Sequence, residues 1–118
     1  MHWSLIQHSI KEGVLLKKVF RNPDVMWREE EGSLLEASAG LEKGNDVTEV
    51  GTSLLFSDGI MITLNLMGTE IWKICDGRTV EEIIDSLLAD FEVERAVLSQ
   101  DVHSFLQDLE QKGFIFYG

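Results

Sequence analysis

The sequence predicts an α+β fold in which a small antiparallel β-meander of about three strands is followed by three α-helices. Three observations carry that expectation. Leu54–Phe56 and Ile60–Leu64 flank the dipeptide Asp58-Gly59, the strongest short signal for a two-residue hairpin. Val80, Ile83, Ile84, Leu87, Leu88 and Phe91 recur at i, i+3, i+4, i+7, i+8 and i+11, the stripe of an amphipathic helix. Between the two lies Leu64–Gly77, LNLMGTEIWKICDG, the seam where strand periodicity gives way to helical periodicity.

In chain order, Trp3, Ile6, Ile10 and Val14 fall near helical spacing, but Gly13 interrupts them, and residues 1–21 read as an N-terminal arm of helical or irregular character. Asn22-Pro23-Asp24 marks a turn, because proline fixes its own φ and restricts the residue before it. Residues 25–30 and 33–37 are expected to pair as a hairpin about Glu31-Gly32, with Glu29-Glu30-Glu31 a solvated strand edge. Residues 38–53, with Gly40, Gly44 and Gly51 and no sustained period, read as a loop insertion.

In the hairpin that follows, a two-residue turn sets Phe56 opposite Met61, Leu55 opposite Ile62 and Leu54 opposite Thr63. Ile60, Ile62 and Leu64 then share one face, expected to lie beneath the helices. Asn65 can cap a short helix through Cys75 that Asp76-Gly77 would end. Thr79 and Glu82 form a T-x-x-E capping box for the next helix. Ser99 can cap the last helix, Gln100–Lys112, whose stripe is Val102, Phe105, Leu106 and Leu109, and Phe114–Tyr117 closes the chain as a short strand. Two consecutive helices behind a shorter one suggest a winged-helix-like arrangement.

Composition narrows the chemistry. The chain has 118 residues, 44% hydrophobic, with one proline, which suits one domain with a modest core. Its net charge is −11, divided between four basic and one acidic side chain in residues 1–21 and six basic and twenty acidic beyond them. The candidate recognition helix offers one lysine and no arginine against three acids, which repels phosphate and cannot make the commonest guanine contact; nucleic acid is therefore not expected as a partner. The segment Glu92–Leu98 is also longer than the usual turn of about three to four residues in a helix-turn-helix.

Cys75, the only cysteine, excludes an internal disulfide and suits a reducing compartment. The N-terminus lacks a continuous apolar run, and no stretch approaches the ~18 residues of a membrane span, so a cytoplasmic protein is expected. No phosphate-binding glycine loop, nucleophile elbow or zinc motif is present, and His2, His8 and His103 are scattered, so neither an enzyme nor a metal site is expected.

The runs WREEEGSLL, DGIMITLN-x-x-G-x-x-IW-x-ICDG-RTVEEII and DVHSFLQDLEQKGFI, spread in order over about residues 22–117, resemble the PqqD-like family. These are stand-alone RiPP recognition elements, peptide chaperones of ribosomally made, modified peptides. The insertion near 38–53 departs from the family's compact meander, and residues 1–21 fall outside the resemblance. The resemblance implies a non-catalytic protein without cofactors that takes the leader of a precursor peptide as a strand added to its third β-strand, against its third helix. It would then present the peptide to a radical SAM enzyme with a SPASM domain. Carried onto this chain, the strand is Gly59–Leu64 and the helix Gln100–Lys112, with Ile60, Ile62, Val102, Phe105 and Leu109 lining the groove, the backbone of Met61 to Thr63 forming the ladder, and Leu64 counted among the peptide-binding residues. Alternation alone does not say which strand face lines that groove, and an open edge can equally pair with a second copy as a homodimer. The competing reading is a winged-helix regulator or general protein-interaction module.

Overall fold

The computed structural model describes residues 17–118, so the helical spacing noted at Trp3–Val14 lies outside the described residues. The described residues form two compact units, one of Arg21–Lys73 and one that combines residues 17–20 with Ile74–Gly118. Both are α+β, each built on its own three-stranded sheet.

The Arg21–Lys73 unit contains β2 (Met26–Glu29), α1 (Glu31–Glu42), β3 (Ser53–Ser57), β4 (Ile60–Leu64) and α2 (Leu66–Lys73). Its sheet has the order β2-β3-β4 and is antiparallel throughout. The β3–β4 hairpin has the expected register, Phe56 opposite Met61, Leu55 opposite Ile62 and Leu54 opposite Thr63. Asp58 at φ 53° and Gly59 at φ 78° supply the two positive values that a type I′ turn demands.

β2 corrects an expectation. It pairs with β3, not with residues 33–37, and those residues belong to α1. Leu34, Ala37 and Leu41 sit at i, i+3 and i+7, with helix-forming Glu, Leu and Ala around them. The helix ends at Gly44, whose φ of 81° lets Asn45 N–H reach back to the Gly40 carbonyl at 2.9 Å. Only residues 43–52 remain a loop, and it is tied down. Asp46 accepts from the Thr48 N–H and hydroxyl, at 3.0 and 2.8 Å, bonds that hold its carboxyl below the usual range. Asn65 Nδ2 donates to the Thr48 carbonyl at 3.3 Å.

Asn65 also caps α2, its Oδ1 accepting from Gly68 N–H at 2.9 Å. The helix stops at Lys73, earlier than expected, because Arg21 Nη1 donates to the carbonyls of Trp72 and Lys73 at 3.1 and 2.6 Å. The same guanidinium lies 5.9 Å from the ring centroids of Trp27 and Trp72, which meet edge to face at 6.1 Å. One turn earlier in α2, Thr69 Oγ1 bonds the hydroxyls of Thr52 at 2.6 Å and Ser53 at 2.7 Å, all three fully buried. These bonds satisfy each hydroxyl and hold α2 on the start of β3. Val25, Ala37, Leu55, Leu64, Leu66, Ile71 and Trp72 are the buried apolar residues of this unit.

In the second unit, β1 (Lys18–Arg21) is the central strand of the order β5-β1-β6. Residues 18–20, expected within an arm, are thus part of the fold. β5 (Asp76–Thr79) pairs antiparallel with β1, and the register shifts between Val19 and Phe20. Gly77 is the extra residue, at φ 107° against the Phe20 ring, so it forms a strand bulge where a helix stop was expected. β6 (Ile115–Tyr117) flanks β1 on the other side, Lys18 and Gly118 exchanging backbone bonds at 3.0 and 2.9 Å.

α3 (Val80–Asp90) carries the expected capping box: Thr79 N–H donates to Glu82 Oε1 at 3.0 Å, and Glu82 N–H to Thr79 Oγ1 at 3.2 Å. α4 (Arg95–Gln111) starts four residues before Ser99, and Leu98 joins Val102, Leu106 and Leu109 in the core. The α3–α4 link is therefore only residues 91–94, within the range of a helix-turn-helix, so link length no longer argues against one. Charge still does. Arg95, the only arginine of α4, is held by Asp85 at 2.8 Å and Glu81 at 2.6 Å, bonds that raise its pKa. Among the described residues the fold thus has four helices and two sheets, against the three helices and one meander expected.

Replacing Asn65 by Ala removes both the α2 cap and the loop tie, and is expected to lower stability by about 1–2 kcal/mol in urea denaturation. Acid titration of Glu82 supplies a second check. The Thr79 N–H and then the Thr79 hydroxyl hold its carboxyl below its ordinary value of 4.5. The stabilisation by the box is accordingly full above pH 4.5 and lost as pH falls through the lower folded value. An NMR midpoint for Glu82 at or above 4.5 contradicts the box.

Candidate functional site: the open edge of β4

The β3–β4 turn decides which way the backbone of β4 points. With two residues in the turn, Ser57 and Ile60 form the first hydrogen-bonded pair, Leu55 and Ile62 the next, and Ser53 and Leu64 the third. Met61 and Thr63 alternate with them, so their N–H and C=O groups point away from β3. Among the described residues no strand lies on that side. Thr52 N–H also donates to the Leu64 carbonyl, at 2.7 Å, next to the Ser53–Leu64 pair; the extra residue makes a bulge that ends the ladder.

Of the other sheet edges, β2 carries Arg28 and Glu29, and β5 carries Asp76 and Arg78. Charges of this kind deter strand pairing. β6 is uncharged but has three residues. β4, IMITL, is five residues long and carries no charge, which leaves it the most receptive edge.

The side chains of β4 divide by face as alternation requires. Ile60, Ile62 and Leu64 share the inner face and grade from 39% exposed at Ile60, through half-buried Ile62, to 4% at Leu64. Met61 and Thr63 are exposed on the outer face, Met61 at 66%.

The helical residues expected to line a groove stand differently. Val102 and Leu109 are fully buried and Phe105 is half-buried. Val102 and Leu109 therefore offer no surface to a ligand as they stand, and their place is in the core of their own unit.

The structure adds residues that sequence reasoning passed over. Met26 lies opposite Phe56 and Phe56 opposite Met61, so the three form one cross-strand row on the outer face. The row was hidden because residues 25–30 were paired with the wrong segment. Half of it, Phe56 opposite Met61, was present in the predicted register.

Among the described residues no three His, Cys, Asp or Glu side chains gather to hold a metal ion. Cys75 is buried, and His103 Nδ1 lies 2.7 Å from the Ser99 carbonyl in its own helix. No described helix is long and apolar enough to cross a membrane.

Comparison with known proteins gives this geometry a family. The family model described as Coenzyme PQQ synthesis protein D (PqqD) matches residues 41–115. The chain belongs to the PqqD family. The match takes in β3, β4 and every helix after them, and begins in the last turn of α1. PqqA binding proteins of Rhodopseudomonas palustris strains BisB5 and TIE-1 are each 44% identical over 50 residues, which is 42% of this chain and 49% of the relative. The chain thus spans about half the length of the curated relatives it matches. A solved structure, TbiB1 in complex with the TbiA(beta) leader peptide, superimposes with a TM-score of 0.59 at 21% identity, over 81% of this chain and 93% of TbiB1. That likeness establishes the α+β fold of this PqqD-family chain.

Proposed function

We propose that this chain is a non-catalytic peptide chaperone: its β4 takes the leader of a ribosomally made precursor peptide as an added strand, and the complex is delivered to a radical SAM enzyme with a SPASM domain. The observation that carries the reading is the uncharged β4 edge, with the N–H and C=O of Met61 and Thr63 directed outward. Strand addition uses those groups for affinity and leaves side-chain contacts to set specificity. Support comes from relatives named for binding PqqA and from a neighbour of like fold solved with a leader peptide.

The guest side chains that alternate toward the inner face would meet Ile60 and Ile62, which keep exposed surface, while Leu64 belongs to the core. The maturase supplies the redox chemistry, and the chaperone raises the effective concentration of its substrate. Both partners would meet in the cytoplasm. The competing reading, a winged-helix regulator, would need cationic surface that α4 lacks.

Thr63→Pro deletes one outward N–H without touching the β3 ladder. It is expected to weaken binding of a fluorescently labelled synthetic PqqA peptide by about tenfold or more, while Thr63→Val, which keeps the N–H, binds as the parent does. A folded Thr63→Pro protein that binds the peptide unchanged rules out strand addition at β4.

A further inference from the structure

The outer face of the Arg21–Lys73 sheet carries an apolar surface that the backbone ladder of β4 does not use. Met26 is 71% exposed, Phe56 45% and Met61 66%, and the three stand in register across β2, β3 and β4. With Leu54 and the flanking Trp27 and Arg28 they line an open depression of about 280 Å³. The row ends at the open edge, with Met61 its last member. Directly opposed residues of neighbouring strands point to the same face, so a strand laid on β4 in either direction places one side chain beside Met61.

The next outward position is different. Gly51 lies against the Thr63 side chain so closely that a Cβ on residue 51 would sit 2.5 Å from Thr63 Cγ2. Gly51 therefore packs on the Thr63 side chain, although Thr63, like Met61, stays exposed.

On the strand-addition reading above, we infer that Met61, backed by Phe56, is a specificity-determining residue: it selects guest peptides carrying a large apolar side chain at the outer-face position beside it. The occupant follows from continuity, since the apolar row runs without a break into the edge where the guest would lie. Methionine suits the role, because its unbranched, polarisable side chain repacks around aliphatic and aromatic partners alike. Neighbouring strands lie about 4.8 Å apart, which puts Met26 about three strand spacings from the guest and outside its direct contact.

The test is a selection of random dodecapeptides displayed on phage against the intact chain and against Met61→Glu, a substitution at a site exposed enough to leave the fold in place. Parent-selected peptides are expected to share one large apolar position, and Met61→Glu is expected to select Lys or Arg at that position alone. A parent-selected peptide should lose about three- to fivefold in affinity for Met61→Glu, the scale of one cross-strand pair, and nothing for Met26→Glu. Peptides sensitive to Thr63→Pro but indifferent to Met61→Glu overturn the assignment of Met61 and leave strand addition standing. An equal loss with Met26→Glu also overturns it, because the whole face would then be the contact. Peptides that bind Thr63→Pro as they bind the parent remove the strand-addition reading, and this inference with it.

Discussion

The two-residue turn at Asp58-Gly59 governs the rest of the site. Two positive φ values in succession commit the chain to a tight hairpin whose twist matches its strands. Once Ser57 and Ile60 are the first hydrogen-bonded pair, every later pair is determined, and so is the outward direction of the Met61 and Thr63 amides. A slip of one residue would exchange the faces, placing Met61 inside and Ile62 outside, and would turn the wrong amides to solvent. Buried Leu55 and Leu64 resist that slip from the core side. The hydroxyl cluster of Thr52, Ser53 and Thr69 resists it from the end of the ladder.

An exposed, uncharged edge is a hazard in most proteins, since it pairs with any extended chain. Here the other edges are short or carry charge, while β4 is left plain. The contrast argues for an edge kept open to a guest. The net charge of −11 adds like-charge repulsion between copies of the chain. The bulge at Thr52 ends the β3–β4 ladder, and the tie from Asn65 to Thr48 fixes the loop beside it.

What could be read in the sequence was whatever adjacent residues encode. The Asp58-Gly59 turn, the Asn65 cap, the Thr79–Glu82 box and the stripe of α3 each lie within a dozen residues, and each stands as read. Pairing between β2 and β3 could not be read this way, because a whole helix intervenes and the register is set by tertiary packing. α1 was obscured by its small inner face, where Ala37 is the one buried residue and Gly40 reads as a breaker. α4 begins without a side-chain cap, so Ser99, a good capping residue by type, drew the boundary five residues late. β1 and β5 are four-residue strands held by partners distant in sequence, and neither has a turn of its own to announce it. The β4 edge was legible because its hairpin was. The row through Met26 was not, because its outer member comes from the distant pairing.

Amide hydrogen exchange by NMR, with and without a saturating bound peptide, tests the central claim most directly. In the free protein the Met61 and Thr63 amides should exchange rapidly while Ile60 and Ile62, bonded to β3, are protected. Binding should slow Met61 and Thr63 and leave the other two as they were. Saturable binding with Met61 and Thr63 still exchanging at their free rates would contradict strand addition at β4.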